Sequence, residues 1–476
     1  MRALLLLLLL PGFLAMGQDK AAQIDELLSR YHGWRQFNGT ALVAESGKVI
    51  YKKGFGLANM EWNIPNTPDT RFRLGSITKQ FTAALILQLV QEGKIQLDDP
   101  MSKYVPDYPK KIADRVTVHH LLTHTSGIPS YTGLSNFMKD HSRDPYTPVE
   151  FLKIFRDLDF EFEPGSKFNY NNSGYFLLGV IIEKVTGKSY AEALQERIFG
   201  PLKMSSSGYD LHSPLMNKRA GAYQATLDGF ENAPYLDMSI PYAAGSLHST
   251  VEDLYLWDQA LYTDQVVSAK SRDRMFTPDK NNYAYGWSIR KDSVPGGGER
   301  KVTIVGHGGG INGFNTIIER LVDDKHLVVL LNNTGGTRLT EMAQGIRNVL
   351  YGAPAKPPKP PVARALYQLI VEKDVAAAIQ QCREWKKAET HDVNPNELAT
   401  LANHLRRIKR AADAEQVAKL NVELHPTNPF AHVSLGDYYR ETGNRAMAIR
   451  SYARAVELSP DEEAPPVRRL KEMLAK

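Results

Sequence analysis

Hydrophobic and polar positions alternate with a period of two at both ends of the segment 40–331. Thr40–Glu45 and Val49–Tyr51 flank a Ser46-Gly47 turn and predict a β-hairpin. The section from 98 to 238 is rich in helix and loop signals, and a further helix is predicted near Arg338–Leu350. Strands are predicted again at Tyr283–Arg290, Val302–Val305, Asn315–Leu321 and His326–Leu331, the last two as an antiparallel pair.

These elements predict an α+β fold for residues 18–352. An antiparallel β-sheet is flanked by helices and accompanied by a mainly helical lobe, with the active site expected between them. Residues 353–362 are rich in proline and predict an extended, semi-rigid linker. Beyond the linker, residues 363–476 turn to Ala, Leu, Arg and Glu and predict an all-α region.

The all-α region contains an internal repeat. Asn394-Pro395 recurs at Asn428-Pro429 and Leu401 recurs at Leu435, an interval of 34 residues. This interval resembles that of the tetratricopeptide repeat. The resemblance implies a groove for a protein or peptide partner, and a helical appendage that packs on the first domain is the open alternative.

Ser76 and Lys79 form the main candidate for chemistry. Residues from Gln80 to Glu92 are mostly apolar and end at Gly93, which predicts a buried helix with Ser76 in its first turn. A spacing of three places Lys79 on the same face. A serine hydroxyl needs a base beside it, and a lysine can be that base only if its pKa is lowered.

Two further segments carry polar groups that suit the same site. Tyr170 and Asn172 lie in a loop rich in Asn, Pro and Gly, and an extended loop would point both side chains the same way. An ammonium beside Tyr170 would favour its anion, so that the phenol could shuttle a proton. Asn171 and Ser173 are interpreted as structural. The run that begins at His307 continues with three glycines, whose backbone N–H groups could stabilise an oxyanion.

Together these segments resemble the serine β-lactamase and penicillin-binding-protein-like hydrolases, above all the class C β-lactamase and DD-peptidase branch. The resemblance covers roughly residues 36–350 and implies an acyl-enzyme formed on Ser76. It implies that Lys79 and Tyr170 share the acid and base work, in a division left open. The positions expected to bind substrate and oxyanion are Asn172, His307, Gly309 and Gly310, with the N–H groups of Ser76 and Gly310 forming the oxyanion hole.

The third motif departs from the β-lactamase pattern. His307 stands where the resemblance expects a Lys, and Gly308 stands where it expects a Thr. A neutral His and a Gly lack the charge and the hydroxyl that would recognise a free carboxylate. The substitution argues against an efficient penicillinase and fits a peptidase or an esterase.

Composition and the first residues of the chain limit the possible ligands and the cellular location. The net charge of +5 is small and no Lys/Arg patch occurs, so nucleic-acid binding has little support. We expect no cofactor, and His120 and His124, four apart but without a third ligand, are interpreted as structural. Residues 1–17 combine Arg2, an apolar core at Leu4–Leu10 and a small-residue cleavage site, and they predict a signal peptide. We expect an exported protein, periplasmic or secreted, with no membrane span after signal removal.

Three functions stay open from the sequence. The first is a serine hydrolase acting on a small peptide, amide or ester, such as a D-amino-acid peptidase, a DD-carboxypeptidase-like enzyme or an esterase. The second is a β-lactamase. The third is a binding or scaffold protein that acts through its repeats and whose hydrolase domain is idle, which an intact Ser76, Lys79 and Tyr170 disfavour.

Overall fold

The computed structural model describes residues 19–353, 357–459 and 465–474. The signal peptide expected over 1–17, residues 354–356 of the proline-rich linker and the repeat's final Pro460 lie outside the described residues. In the described part of the chain, none of the helices combines the length and the apolar character needed to cross a bilayer.

The helices fall into one group before the linker and one after it. They are α1 (Lys20–Gly33), α2 (Thr78–Gln91), α3 (Lys110–Ala113), α4 (Val118–Leu122), α5 (Phe137–His141), α6 (Pro148–Leu152), α7 (Asn172–Thr186), α8 (Tyr190–Leu194), α9 (Tyr242–Gly245), α10 (Val251–Ala260), α11 (Ala269–Phe276), α12 (Leu339–Leu350), α13 (Val362–Glu372), α14 (Val375–Ala388), α15 (Pro395–Arg407), α16 (Ala411–Leu424), α17 (Pro429–Glu441), α18 (Arg445–Leu458) and α19 (Pro465–Leu474).

Among the described residues, the strands all lie before the linker. They are β1 (Gly39–Glu45), β2 (Lys48–Gly54), β3 (Leu57–Asn59), β4 (Ile64–Pro65), β5 (Phe72–Arg73), β6 (Gly208–Tyr209), β7 (Tyr223–Ala225), β8 (Phe230–Asn232), β9 (Leu247–Ser249), β10 (Ser288–Ser293), β11 (Lys301–Ile311), β12 (Phe314–Leu321), β13 (His326–Asn332) and β14 (Thr334–Gly335). Short strands form small sheets of order β14-β7-β8, β3-β4 and β5-β9-β6.

The central sheet has the order β10-β11-β12-β13-β1-β2, and its neighbouring strands are antiparallel. Its two faces follow the alternation of the strands. On β1, Ala41 and Val43 pack with α1 and α12, while Leu42 and Ala44 pack with the large core that contains α2, α7 and α10. The predicted α+β fold, with an antiparallel sheet between helices, is confirmed.

The predicted hairpin and the antiparallel pair near the end of the domain are both confirmed. The strand predicted at Tyr283–Arg290 is wrong in its first half, because the regular strand β10 begins only at Ser288. The cause is Gly286, which adopts φ +78 and packs against the backbone of α2; a Cβ there would lie 2.7 Å from the carbonyl oxygen of Lys79.

The region after the linker is helical and has a core of its own. The bounds of α15, residues 395–407, recur in α17 at 429–441, and those of α16, residues 411–424, recur in α18 at 445–458. The helix pairs therefore keep the interval of the sequence repeat. Gly436 allows the pair α17–α18 to pack closely, since a Cβ there would lie 2.6 Å from the ring of Tyr452. The tetratricopeptide identity of these pairs stays a prediction.

Polar contacts join the helical region to the first domain. Arg338, just before α12, lies 3.1 Å from Glu397 of α15. On the β7–β8 hairpin, Glu231 of β8 lies 3.0 Å from Arg407 of α15. Leu227, between the two strands, packs against the hydrophobic core of the helical region. The helical region is therefore docked on the first domain rather than held by the linker alone.

Candidate active site

Ser76 lies in a 3-10 turn, Gly75–Ile77, that leads directly into α2. Gly75 adopts φ +56, and a Cβ there would lie 3.0 Å from the backbone nitrogen of Gly310. Glycine therefore lets the turn approach strand β11 closely. Ser76 itself is half-buried, which leaves its hydroxyl accessible from the cleft between sheet and helical lobe.

Lys79 lies one turn along α2 and faces Ser76, as the spacing predicts. Its Nζ lies 3.2 Å from Ser76 Oγ, 2.8 Å from Asn172 Oδ1 and 2.9 Å from the carbonyl oxygen of Ala244. The side chain is 0% exposed, and within residues 19–353 no carboxylate is paired with it. Burial without a counter-charge lowers the pKa of Lys79 well below its usual range.

The contacts of Lys79 suit a neutral amine. A neutral amine has two N–H bonds and one lone pair, and the carbonyl oxygens of Asn172 and Ala244 can only accept hydrogen bonds. If Lys79 donates one N–H bond to each of them, its lone pair is left for Ser76, whose hydroxyl donates to Nζ. The arrangement can therefore take up the Ser76 proton during a nucleophilic attack.

Tyr170 and Asn172 reach the site from the start of α7. The helix begins at Asn172 rather than at the predicted Tyr175, and Asn171 precedes it in an extended conformation with φ −139. The side chains on either side of Asn171 both meet Lys79: its Nζ lies 4.8 Å from the ring centroid of Tyr170 and 2.8 Å from Asn172 Oδ1. The predicted convergence of these two side chains is confirmed.

The neighbouring Asn171 and Ser173 have the structural roles predicted for them. Asn171 caps α7 by accepting the N–H of Gly174 at 2.9 Å. Ser173 Oγ accepts the N–H of Tyr131 and donates to the carbonyl of Pro129. These bonds hold the loop before α7 in place, so that Asn172 is presented to Lys79.

The expectation of a favoured tyrosinate at position 170 is wrong. Burial of its hydroxyl raises the pKa of Tyr170, while a hydrogen bond with Ser76 acts in the opposite direction. A neutral Lys79 supplies no positive charge to hold an anion beside it. Tyr170 therefore keeps its proton in the resting site, where it can donate that proton.

Strand β11 carries the glycine run along one wall of the cleft. The run continues the regular strand rather than forming a bulge, and β12 pairs with it from Ile304 to Ile311. On the other side β10 pairs only as far as Gly306, and no strand of residues 19–353 extends that pairing over 307–311. This open edge lies against the turn that carries Ser76. The backbone of Gly310 is thus next to the candidate nucleophile.

The three glycines of the run differ in how tightly they are packed. A Cβ on Gly309 would lie 1.9 Å from the carbonyl oxygen of Leu74, so this position requires glycine. A Cβ on Gly308 would meet only the carbonyl oxygen of Thr316, at 3.7 Å, and one on Gly310 only an amide nitrogen at 3.8 Å. Gly309 therefore allows the close approach of the strand to the nucleophile turn, whereas positions 308 and 310 have room for a side chain.

His307 is neutral and both of its ring nitrogens are occupied. Nδ1 lies 2.6 Å from the carbonyl oxygen of Gly308, and Nε2 lies 2.9 Å from the hydroxyl of Tyr283. Since a carbonyl can only accept, Nδ1 carries the proton and Nε2 accepts from Tyr283. Desolvation lowers the pKa of His307 to about 4. The ring offers neither charge nor a free N–H to a ligand.

A buried histidine lies behind the site. The ring centroid of His124 lies 4.3 Å from that of Tyr170, 4.6 Å from Tyr283 and 5.1 Å from Tyr175. Its Nδ1 accepts the N–H of Asn171 at 3.0 Å. Because α4 ends before it and its φ is +58, His124 does not share a helix face with the histidine four residues earlier. It supports the aromatic wall of the cleft.

Sequence reasoning missed some members of the site. The Ala244 carbonyl has no side-chain signature, and Tyr283 was interpreted only as part of a strand. The structure adds Thr132, whose hydroxyl lies 3.2 Å from Asn172 Nδ2. Ala244 and His124 do lie within residues 36–350, the part of the chain that the family resemblance covers, and that was the available signal.

The matched residues and the fold agree on one family. The family model described as Beta-lactamase matches residues 24–351. The chain belongs to the beta-lactamase family. As a member, it is similar to Penicillin-binding protein 4* of Bacillus subtilis (strain 168), with 30% identity over 379 residues that cover 73% of this chain and 79% of that protein. It is also 30% identical to Teichoic acid D-alanine hydrolase of Staphylococcus aureus over 305 residues, which cover 63% of this chain and 71% of that one.

Solved structures resemble this member of the beta-lactamase family as well. The octameric penicillin-binding protein homologue from Pyrococcus abyssi has a TM-score of 0.62 and 32% identity, covering 73% of this chain and 81% of that chain. The D-amino acid amidase from Ochrobactrum anthropi SV3 complexed with D-phenylalanine has a TM-score of 0.60 and 26% identity, covering 70% and 99%. The named relatives include penicillin-binding proteins and hydrolases.

Proposed function

We propose that this protein is an exported serine hydrolase that cleaves a peptide, amide or ester bond through an acyl-enzyme on Ser76. The observation that carries the proposal is the set of contacts around Lys79. The buried Nζ lies 2.8 Å from Asn172 Oδ1, 2.9 Å from the carbonyl oxygen of Ala244 and 3.2 Å from Ser76 Oγ. With two acceptors for its N–H bonds, a neutral amine in this place leaves its lone pair for Ser76. This arrangement makes the serine a nucleophile at neutral pH.

The first half of the reaction forms the acyl-enzyme. Ser76 Oγ attacks the substrate carbonyl while its proton passes to Lys79 Nζ, and the negative charge develops on the carbonyl oxygen. The N–H groups of Ser76 and Gly310 stabilise that oxygen, with Ser76 at the start of a helix. Tyr170 donates its proton to the leaving amine or alcohol as the scissile bond breaks.

The second half hydrolyses the ester on Ser76. The Tyr170 oxygen, having lost its proton, is reprotonated from the Lys79 ammonium, and both groups return to their neutral resting forms. A water then attacks the ester carbonyl and gives its proton to the neutral Lys79, because the phenol of Tyr170 again carries its own. Collapse of the second tetrahedral intermediate returns a proton to Ser76 Oγ and releases the acid.

The substrate class follows from the third motif and from the relatives. A neutral His307 with both nitrogens engaged cannot hold a carboxylate by charge. Arg73, the cation just before the nucleophile turn, is already bonded to Asp210 at 2.6 Å. Two relatives, a teichoic acid D-alanine hydrolase and a D-amino acid amidase, support D-aminoacyl esters and amides. We propose a D-aminoacyl ester, amide or short peptide without an essential free carboxylate.

The β-lactamase alternative is weaker for the same reason, because a typical β-lactam carries a carboxylate that this cleft does not neutralise. The idle-hydrolase alternative is disfavoured by the intact contacts between Ser76, Lys79 and Asn172. Export is part of the proposal and is supported by the composition of residues 1–17.

The test is a small activity panel on the purified mature chain. Short acyl esters, D-amino-acid anilides, a D-Ala-D-Ala peptide and nitrocefin are each compared in wild type and Ser76→Ala. Ser205→Ala is the matched control, because Ser205 is an exposed serine of the same domain. We expect Ser76→Ala to lose roughly three or more powers of ten in rate. It should also lose labelling by a fluorophosphonate probe, while Ser205→Ala keeps both. Unchanged turnover or labelling in Ser76→Ala would overturn the proposal.

A further inference from the structure

Besides the catalytic cleft, the structure has a cavity where the helical region docks on the hydrolase domain. The residues that line it lie outside the catalytic motifs. Its volume is about 750 Å³. Its walls come from the residues after α1, the β7–β8 hairpin, the residues before α12, and helices α13, α15 and α17. Polar side chains line much of it, among them Gln36, Gln224, Thr400 and Asn403. The cavity is therefore shaped by both parts of the chain and suited to a polar ligand.

The acidic groups that line this cavity already have cationic partners. The pairs are Glu231 with Arg407, Glu397 with Arg338, Glu441 with Arg406, and Asp437 with Arg469. The negative charge on the cavity wall is thus neutralised by arginines that are not available for a ligand.

Two arginines of the wall have no such partner. Arg35, just after α1, and Arg364, on α13, both line the cavity. In the described part of the chain, neither guanidinium has an ion pair or a hydrogen bond. Arg35 Nη1 is buried without a hydrogen-bond partner, and its guanidinium carbon lies 5.6 Å from the ring centroid of Phe230. Desolvation and then the charge of Arg364 lower the pKa of Arg35, which is the direction expected for two cations without a counter-charge.

A buried donor without a partner is costly, and a like-charged neighbour adds to the cost. An oxyanion would remove both costs at once, because a guanidinium matches the geometry of carboxylate and phosphate oxygens. We propose that Arg35 and Arg364 bind an oxyanionic group, a phosphate or a carboxylate, carried by a polar molecule that enters this cavity. Since one arginine belongs to each part of the chain, the bound anion stabilises their docked arrangement.

The proposal is tested on the full mature chain by thermal unfolding and by equilibrium dialysis. Inorganic phosphate and citrate are compared with potassium chloride at equal ionic strength. At a concentration of about ten times Kd, we expect the melting temperature to rise by about 1–2 °C. The effect should vanish in Arg35→Gln and in Arg364→Gln. Arg450→Gln is the matched control, because Arg450 is exposed on α18 outside the cavity.

The variants separate specific binding from the general stabilisation that excluded anions such as phosphate produce. A shift with phosphate only assigns a phosphoryl ligand, and a shift with citrate only assigns a carboxylate. Dialysis should give one phosphate or citrate per chain, lost in Arg364→Gln. Arg364 is a half-buried residue of α13. If Arg35→Gln does not fold, Arg364→Gln alone tests the anion-binding proposal. No shift in wild type, or an equal shift in the arginine variants, would overturn the proposal.

Discussion

Lys79 in the catalytic cleft and Arg338 at the contact with the helical region are both basic side chains between elements that are distant in sequence. Lys79 is fully buried and meets only neutral oxygens, so that its pKa falls well below the usual range. Arg338 is partly exposed and lies between the carboxylates of Asp392 and Glu397. Desolvation lowers the pKa of Arg338, but its bond to Asp392 and the charge of Glu397 outweigh that and raise it.

The difference separates two uses of a basic side chain. In the cleft, burial removes the charge and produces a base, at a cost in stability. At the contact, pairing keeps the charge and joins two surfaces, while exposure limits what each ion pair contributes. The predictions below test this contrast, and they begin where the expected effect is largest.

Replacing Lys79 should abolish catalysis and change the pH dependence of stability. In Lys79→Met we expect kcat/KM to fall by roughly 10⁴-fold or more, because nucleophile and base act as a unit. Between the lowered pKa of Lys79 in the folded chain and its ordinary value of 10.5, the unfolded chain binds a proton that the folded chain does not. Stability conferred by the wild-type lysine therefore rises with pH up to that value, by about 1.4 kcal/mol per pH unit.

The measurement is the difference in unfolding free energy between wild type and Lys79→Met from pH 7 to pH 10. We expect the unfolding free energy of wild type to increase relative to that of Lys79→Met as the pH rises. In the matched comparison, Arg338→Met should show no such trend, because a paired arginine stays charged throughout. A difference for Lys79 that is flat with pH would mean that the buried lysine is charged.

Tyr170 acts in the cleft through its hydroxyl proton rather than as an anion. Tyr170→Phe should lower kcat by about 10²–10⁴-fold, the range of a lost general acid. The same substitution in the helical region, Tyr438→Phe, removes a hydrogen bond to the Ala411 carbonyl at 2.9 Å and should leave kcat unchanged. Full activity in Tyr170→Phe would assign the acid work to Lys79 alone.

Adding a charge to the cleft should change its substrate preference. The double variant His307→Lys with Gly308→Thr restores a cation and a hydroxyl. The Thr fits, because a Cβ at Gly308 would be in ordinary contact with its nearest neighbour. A charge-assisted bond of about 1.5–3 kcal/mol should move the preference toward carboxylate-bearing substrates by roughly ten- to a hundred-fold.

The preference is measured as the ratio of kcat/KM for nitrocefin to that for an uncharged ester. The two single variants are the controls, and high salt should reduce any long-range part of the effect. If wild type already hydrolyses nitrocefin as well as the ester, another group binds the carboxylate and the β-lactamase alternative becomes the stronger one.

The cleft and the contact with the helical region also differ in how much of each could be predicted from the sequence. Ser76 and Lys79 are one helical turn apart, and Tyr170 and Asn172 flank one extended residue, so local spacing sufficed for them. The Ala244 carbonyl could not be predicted, because every residue has one and only the fold selects it. The pairing of His307 with Tyr283 was hidden by a strand prediction that Gly286 interrupts.

At the contact between the two parts of the chain, sequence reasoning had less to use. Repeats predicted the helix pairs and their interval, because the apolar pattern is local to each pair. Arg338 and Glu397 are 59 positions apart, and Arg35 and Arg364 are still farther apart. Their neighbourhood depends on how two domains dock, which neither spacing nor composition encodes.

Removing the helical region should have the smallest effect on catalysis. The two parts have separate hydrophobic cores, and of the hydrolase domain only Leu227 packs against the core of the helical region, within the described residues. A chain that ends at Gly352 should therefore fold and keep its activity on a small ester within about threefold, since all the contacts of Lys79 lie before the linker.

The measurement is kcat/KM together with the melting temperature, and Leu227→Ser in the shortened chain controls for the newly exposed apolar side chain. An aggregated or inactive shortened chain would mean that the ion pairs of Arg338 and Glu231 complete the hydrolase. The ion pairs at the contact would then be required for catalytic activity, as the buried lysine is.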